Sequence, residues 1–200
     1  MKTKKSTNVY NCLFILILIS ILVTGCDPYA RIRMASDGVF RYTYLEEESG
    51  YEINSDFGVT LKGVVNVPSS YNGIPVVRIG GLFCGKDVTG VSIPSSIRII
   101  SPLAFYSSEI KKLIIPDGVE IIESCAFSMN KSLEEVFIPS TVTSIGADAF
   151  KSCSSLKKLV YGGTMEEWDK IYKNRCWRDW IATDRVICSD GVIIFSRRFF

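Results

Sequence analysis

Three groups of neighbouring carboxylates are the residues of this chain whose type and spacing suit general acid–base chemistry. They lie at Glu46 to Glu48, at Glu134-Glu135 and at Glu166-Glu167. Each group also has a structural explanation, in a turn, on an exposed strand or at the start of a helix. The sequence contains no histidine, which removes the commonest general base, the Ser–His and Cys–His pairs and the commonest metal ligand. The sequence therefore predicts a chain that is not an enzyme.

The cysteines show no metal-ligand spacing. The sequence has no Cys-x-x-Cys pair and no Gly-rich phosphate loop after a strand, so neither a metal site nor a cofactor is expected. Cys84, Cys125 and Cys153 accompany phenylalanines that we expect in the core, where a reduced cysteine behaves as a small apolar residue. Cys176 and Cys188 lie near the C-terminus, and the sequence leaves open whether they form a disulfide.

Charge is distributed unevenly along the chain. The first 25 residues contain Lys2, Lys4 and Lys5 and no acidic residue, and in the remainder the basic and acidic residues nearly balance. A protein that binds nucleic acid through its phosphates needs a cluster of basic residues on one face, and the sequence shows none. No nucleic-acid partner is expected.

The N-terminus has the architecture of a secretion signal. A polar, basic stretch ends at Asn11, and the residues from Cys12 to Val23 are apolar except for Ser20. Such a run is shorter than the roughly 20 residues that a transmembrane helix needs. The segment is therefore predicted to direct export rather than to form part of the fold.

Residues Leu22 to Cys26 read Leu-Val-Thr-Gly-Cys, which resembles the bacterial lipobox. The resemblance implies a lipoprotein signal peptide over residues 1–25, lipid attachment at Cys26 and a tether over residues 26–36. The protein would then be lipid-anchored in the bacterial cell envelope, outside the cytoplasm, because more than one acyl chain makes anchoring durable. Two alternatives stay open, an ordinary secretion signal with an incidental cysteine and an uncleaved anchor.

An internal period of 22 to 23 residues organises the middle of the chain. Four independent sets of residues hold this register, and short fixed periods indicate stacked repeats. The sets are Phe83, Phe105, Phe127 and Phe150; the Ile-Pro pairs at Ile93, Ile115 and Ile138, with Val67-Pro68 as a degenerate first copy; Val88, Ile110, Leu133 and Leu156; and Val91, Leu113, Val136 and Leu159.

Each period can be interpreted as one coil. Residues Leu133 to Ile138 predict a short strand, which Pro139 ends because it has no N–H for the ladder. Val142 to Ile145 predicts a second short strand, and a tight turn over Gly146 to Phe150 follows. No coil can bury its own apolar side, so neighbours must stack strand on strand about 4.8 Å apart.

The pattern from Ile138 to Leu156, with Ile-Pro, valine, Ile-Gly, Ala-Phe, cysteine and leucine, resembles the BspA-like leucine-rich-repeat proteins of bacterial surfaces. The residues from Tyr71 to Val76 resemble the entry to the family's first repeat, and those from Tyr161 to Gly191 resemble its closing segment. The resemblance covers roughly residues 37–192. It implies an adhesin or receptor for host or microbial macromolecules. Ser101-Pro102 departs from the pattern, since it stands where the family has a glycine.

The fold prediction is a β-rich leucine-rich-repeat solenoid of about four repeats over residues 76–161. An N-terminal β cap over 37–75 should contain a hairpin of Phe40 to Tyr44 with Tyr51 to Asn54. A C-terminal cap over 162–195 precedes a tail at 196–200. The cap is predicted to hold a helix over Met165 to Tyr172, opened by a capping box at Thr164 and Glu167, a hairpin of Val186 to Cys188 with Val192 to Phe195, and three tryptophans, Trp168, Trp177 and Trp180, that cover the last coil.

Strand alternation points to a candidate binding face. If Val91, Leu113, Val136 and Leu159 point inward, then their successors point outward in one column: Ser92, Ile114, Phe137 and Val160. Large apolar side chains on a solvent face indicate either partner binding or packing under a loop, a tail or a second molecule. Beside this column, lysines and glutamates alternate in sign between coils at Lys111, Glu134, Lys157 and at Lys112, Glu135, Lys158, which suggests cross-strand pairs that favour the register.

The sequence thus predicts a non-catalytic binding or adhesion module that recognises an extracellular protein or glycan through the sheet face. One alternative is a structural envelope lipoprotein whose apolar column mates with copies of itself. Another is an accessory carbohydrate-binding lipoprotein that uses the C-terminal aromatics. Exposed tryptophans would favour the sugar, and an exposed Phe137 column would favour a protein.

Overall fold

The computed structural model describes residues 34–56, 58–81, 85, 87–174 and 176–195. The predicted signal peptide, Cys26, most of the tether, Phe83, Cys84 and the tail at 196–200 lie outside these residues. The strands are β1 (Met34–Ser36), β2 (Phe40–Leu45), β3 (Gly50–Ser55), β4 (Gly63–Asn66), β5 (Ser70–Tyr71), β6 (Ile74–Ile79), β7 (Val88–Ser92), β8 (Ile99–Ile100), β9 (Lys112–Ile114), β10 (Ile121–Ile122), β11 (Glu135–Ile138), β12 (Ser144–Ile145), β13 (Lys158–Tyr161), β14 (Tyr172–Lys173), β15 (Arg185–Cys188) and β16 (Gly191–Ile194), and the helix is α1 (Met165–Lys170).

One side of the solenoid is a sheet built largely from two-residue strands, which we call the short-strand sheet. Its order is β1-β2-β3-β6-β8-β10-β12-β14, with β5 beside β6. From β3 to β14 the pairing is parallel. Its inward row consists of isoleucines that are fully buried: Ile79, Ile100, Ile122 and Ile145. Each of these four coils therefore contributes one β-branched side chain to the same core position, and Lys173 takes that position in β14.

The other side is the long-strand sheet, with the order β16-β15-β13-β11-β9. Strands β9, β11, β13 and β15 run parallel, and β16 turns back antiparallel to β15. Leu113, Val136 and Leu159 lie opposite one another in register and are buried, as strand alternation predicts. The β-rich solenoid fold is thereby confirmed.

A stack of phenylalanines fills the core between the two sheets. Phe105, Phe127 and Phe150 are fully buried. The ring centroids of successive phenylalanines are 5.3 Å apart and their planes are within 5° and 11° of parallel. Trp177 closes this stack edge-on, 6.3 Å from Phe150. The 22- to 23-residue spacing of phenylalanine thus marks one core position per coil.

The glycine of the Ile-Gly pair at Gly146 is explained by close approach between coils. A Cβ at this position would lie 2.6 Å from the backbone nitrogen of Ser124 and 2.8 Å from the carbonyl carbon of Glu123. Both are backbone atoms of the preceding coil and cannot move aside cheaply. Only glycine lets the two backbones pack here.

The N-terminal cap contains the predicted hairpin. Strand β2 pairs antiparallel with β3, and β3 continues parallel to β6, so the cap joins the solenoid without a break in the sheet. Strand β1 adds to β2 and lies in the last residues of the predicted tether. Tyr42 and Tyr71 stack with ring centroids 4.0 Å apart, which covers the first coil with aromatic surface.

The C-terminal cap departs from its prediction in two respects. The capping box of Thr164 and Glu167 is present, but α1 ends at Lys170 rather than at Tyr172. Tyr172 instead lies opposite Ser144 in β12, because the chain resumes the ladder of the short-strand sheet. The prediction that all three tryptophans cover the last coil is wrong for Trp180, which is 61% exposed; Trp168 and Trp177 are buried.

The solenoid has more coils than the four that the repeat phenylalanines mark. Upstream, β3 already pairs parallel with β6, the strand that precedes Phe83 in the sequence, and downstream β14 and β15 extend both sheets. These flanking coils continue the ladder but fall outside the 22- to 23-residue spacing of the repeat phenylalanines. A motif search on phenylalanine therefore finds about four coils of a longer stack.

Candidate functional site

The outward side of the long-strand sheet brings together three of the four residues predicted for the binding face. Ile114, Phe137 and Val160 lie opposite one another on β9, β11 and β13. Ser92 is exposed, but it lies opposite Asn66 in the separate pair of β4 and β7. The N–H of Glu109 donates to the carbonyl of Val88 at 2.8 Å, so the β7 coil adjoins the β9 coil without continuing the ladder. Ser92 is therefore outside this row.

The row continues over two further strands that sequence reasoning missed. Ile187 on β15 lies opposite Val160, and Val192 on β16 lies opposite Ile187. We call the five outward residues the apolar row: Ile114, Phe137, Val160, Ile187 and Val192. Alternation within Arg185 to Cys188, where Val186 and Cys188 are buried, was the signal that could have revealed Ile187.

Exposure varies along the apolar row. Ile114 is 57% exposed, Val192 is 48% exposed and Ile187 is 36% exposed, whereas Phe137 and Val160 are half-buried. The ring of Phe137 packs close to Gly162, where an added Cβ would lie only 3.2 Å from the ring's Cζ. The chain itself therefore covers part of Phe137, whose side chain is outward but only half-exposed.

The first three members of the apolar row line a shallow concavity of about 400 Å³. Its polar border is formed by Lys112, Glu135 and Lys158, which precede the row by two positions on each strand and so share its face. Lys112 and Glu135 form an ion pair at 3.5 Å, in which both side chains are partly exposed. Such a pair contributes less than about 1 kcal/mol to folding. It therefore supports the register weakly and leaves the border open to solvent.

Several of the carboxylates that suited acid–base chemistry have structural partners. Glu166 accepts a hydrogen bond from Lys170 at 2.7 Å, and this lysine lowers the pKa of the carboxyl. Glu167 accepts from the N–H of Thr164 at 2.7 Å in the capping box. Glu48 pairs with Arg78. No group of three or more cysteine, aspartate or glutamate side chains among the described residues is arranged to hold a metal ion.

The described cysteines are unbridged. Cys125, Cys153, Cys176 and Cys188 are all free thiols, so Cys176 and Cys188 form no disulfide in this structure. Cys153 is fully buried, its Sγ lies 3.2 Å from the carbonyl oxygen of Phe127, and burial raises the pKa of its thiol to about 12. It fills core volume beside the phenylalanine stack.

Across the residues that the structure describes, no helix has the length and apolar character needed to cross a membrane.

Comparison with known proteins places these features in a family. The model of the BspA type leucine-rich repeat region matches residues 77–176 in six copies. No curated protein is significantly similar to the chain. Several solved structures share the fold.

A leucine-rich repeat protein from Bacteroides ovatus is 32% identical with a TM-score of 0.53, over 63% of this chain and 34% of that one. The leucine-rich repeat protein of T. pallidum is 25% identical with a TM-score of 0.54, over 77% and 71% of the two chains. The pneumococcal vaccine antigen PcpA is 18% identical with a TM-score of 0.57, over 80% and 50%, and shows the fold alone. The chain thus spans about a third of the Bacteroides protein and half of the pneumococcal one.

The family model covers half of the chain, and the phenylalanine stack, the Ile-Gly contact and the parallel ladders occupy the same residues. The chain belongs to the BspA-type leucine-rich-repeat family.

Proposed function

We propose that the chain is a non-catalytic binding module that holds a partner protein against the apolar row of the long-strand sheet. The single observation that carries the proposal is a continuous line of outward apolar side chains across five adjacent strands. Monomeric proteins seldom leave contiguous apolar surface in water unless it binds something. No described segment of the chain crosses over Ile114, which remains 57% exposed.

A protein fits this face better than a glycan does. Sugar sites commonly present aromatic rings flat to solvent. Trp168 and Trp177 are buried in the C-terminal core, and Trp180, which is 61% exposed, belongs to the cap and not to the apolar row. The apolar row offers aliphatic side chains and one half-covered ring, bordered by charges of both signs. Such a surface matches the composition of a protein interface, with an apolar centre and a polar rim.

Photo-crosslinking tests the binding face. A benzophenone amino acid at position 114 should capture surface proteins of intact cells in discrete adducts. The matched control is the same group at position 172, because Tyr172 is similarly exposed but lies on the short-strand sheet. Discrete adducts at 114 that are absent at 172 support the proposal, and equal labelling at the two positions refutes it.

We also propose that Cys26 carries a lipid anchor, on the strength of the Leu-Val-Thr-Gly-Cys segment at the end of the apolar run. Cys26→Ser should abolish incorporation of labelled fatty acid and release the protein or stall its precursor. The matched control is Cys12→Ser, which changes a cysteine inside the predicted signal and should leave labelling intact. Unchanged labelling and membrane retention of Cys26→Ser would exclude the anchor.

A further inference from the structure

Strand β16 is the free edge of the long-strand sheet. It pairs with β15 on one side and ends the strand order on the other. The N–H of Phe195 donates to the carbonyl of Asp184 at 2.6 Å, which makes these two residues a hydrogen-bonded pair. Hydrogen-bonded and non-bonded pairs alternate along an antiparallel ladder. Ile193 and Gly191 therefore direct their backbone groups to β15.

The same alternation turns the backbone groups of Val192 and Ile194 outward, away from β15. Within the described residues, nothing pairs with them. Two N–H and two C=O groups, two residues apart, thus lie on an open edge.

This edge lacks several of the features by which sheet proteins discourage strand addition. Charged residues, proline and bulges are the usual protection, and β16 reads Gly-Val-Ile-Ile with a regular register against β15. Its outward side chains are apolar, and Ile194 at 67% is among the most exposed large apolar residues described. An open row of backbone groups is a template for a further strand, and burying these apolar side chains is favourable, so the edge is suited to pairing.

We infer that β16 pairs antiparallel with β16 of a second copy of this chain, joining two long-strand sheets into one. The strand is complementary to itself. If a two-fold axis passes Ile193, then Val192 lies opposite Ile194 of the second copy and Ile194 lies opposite its Val192. Each of these is a hydrogen-bonded pair that exchanges two bonds, so all four outward N–H and C=O groups are satisfied at once.

The side chains agree with the same register. Val192 and Ile194 point to the outward face, so each valine meets an isoleucine of the other copy across the axis, which is a favourable cross-strand pairing. No charged side chain of β16 meets its own copy. A two-fold interface requires such self-complementarity. The two apolar rows would then meet end to end at the axis.

Sedimentation of the full-length chain, as isolated, tests the inference. We expect a concentration-dependent dimer. Val192→Pro removes one outward N–H but leaves the bonds to β15, and Ile194→Lys places like charges on the shared face. Both should halve the measured mass. Ile114→Lys, at the far end of the apolar row, should remain dimeric, which separates this inference from the proposed binding function.

A second measurement reports on the edge itself. In the wild-type chain, amide hydrogen exchange at Val192 and Ile194 should slow as the protein concentration rises, whereas exchange at Ile114 should not respond. A chain that stays monomeric at all concentrations overturns the inference. A dimer that survives Ile194→Lys and Val192→Pro, or one that Ile114→Lys dissociates, also overturns it and assigns self-association to the face of the sheet.

Discussion

The two sheets of the solenoid share one architecture but differ on their outward sides. Outside the short-strand sheet, the row through β6, β8, β10, β12 and β14 is mixed, with Arg78, Ile99, Ile121, Ser144 and Tyr172. At its start Arg78 forms an ion pair with Glu48. The apolar row of the long-strand sheet contains no polar residue across five strands. Coil stacking therefore does not by itself require an apolar exterior.

Their inward sides, in contrast, are nearly interchangeable. Both present rows of buried aliphatic residues to the phenylalanine stack, from Ile79 to Ile145 in one sheet and from Leu113 to Leu159 in the other. The two sheets share the inward aliphatic residues that stabilise the fold, and they differ in their outward side chains. The difference points to a surface role for the apolar row.

The largest expected effect comes from the shared core. Phe127→Ala removes the middle ring of the stack, which is buried between Phe105 and Phe150. The loss should be about 3–5 kcal/mol of unfolding free energy, which is enough to unfold a marginal stack. Urea denaturation followed by circular dichroism measures it. A loss below that of an exposed substitution such as Ile114→Ala would contradict the core assignment.

Val136 and Phe137 are adjacent on β11, but Val136 is buried in the core and Phe137 points to the outward face. Val136→Ser should cost about 2–4 kcal/mol, because it leaves a cavity and buries a hydroxyl. Phe137→Ser should cost about 1 kcal/mol, since only the side of the ring on Gly162 loses contact. Thermal unfolding of the two variants gives the comparison. Equal destabilisation would show that Phe137 is a core residue and that the outward side is a packing surface.

The smallest expected effect is the chemical modification of Cys153, which lies in the core beside the phenylalanine stack. Burial raises the pKa of the Cys153 thiol to about 12, so its thiolate is scarce at neutral pH. Maleimide should leave Cys153 unmodified in the folded chain and modify it after denaturation, which peptide mass spectrometry can follow. Cys176, which is partly exposed, serves as the internal control. Rapid modification of Cys153 in the native protein would indicate that the coils open locally.

The repeat period accounts for most of what the sequence could predict. Residues that recur every 22 to 23 positions occupy equivalent places in stacked coils, so their spacing alone identifies Phe105, Phe127 and Phe150 as core residues. Strand alternation then predicts that Ile114, Phe137 and Val160 form a row. Both arguments rest on the regular geometry of parallel ladders.

The features that the sequence could not predict lie where the 22- to 23-residue period fails. Ile187 follows Val160 by 27 positions because α1 and its loops intervene, so a search at the repeat spacing passes over it. Ser92 has the expected spacing, but β7 pairs with β4, and spacing alone does not reveal which strands share a ladder. The size of Trp180 favours a place in the core, yet its exposed position depends on the cap's tertiary packing.

The most direct test of the central claim uses one substitution and two readouts. Once a crosslinked partner is purified, its affinity for the wild-type chain is compared with that for Ile114→Lys, with Tyr172→Lys as the matched control on the other sheet. The account predicts that Ile114→Lys keeps the wild-type melting temperature and weakens binding by about 10-fold or more, as expected for an interface anchor. Tyr172→Lys should bind normally. Unchanged affinity of Ile114→Lys, or a loss of affinity that merely follows a loss of stability, would contradict it.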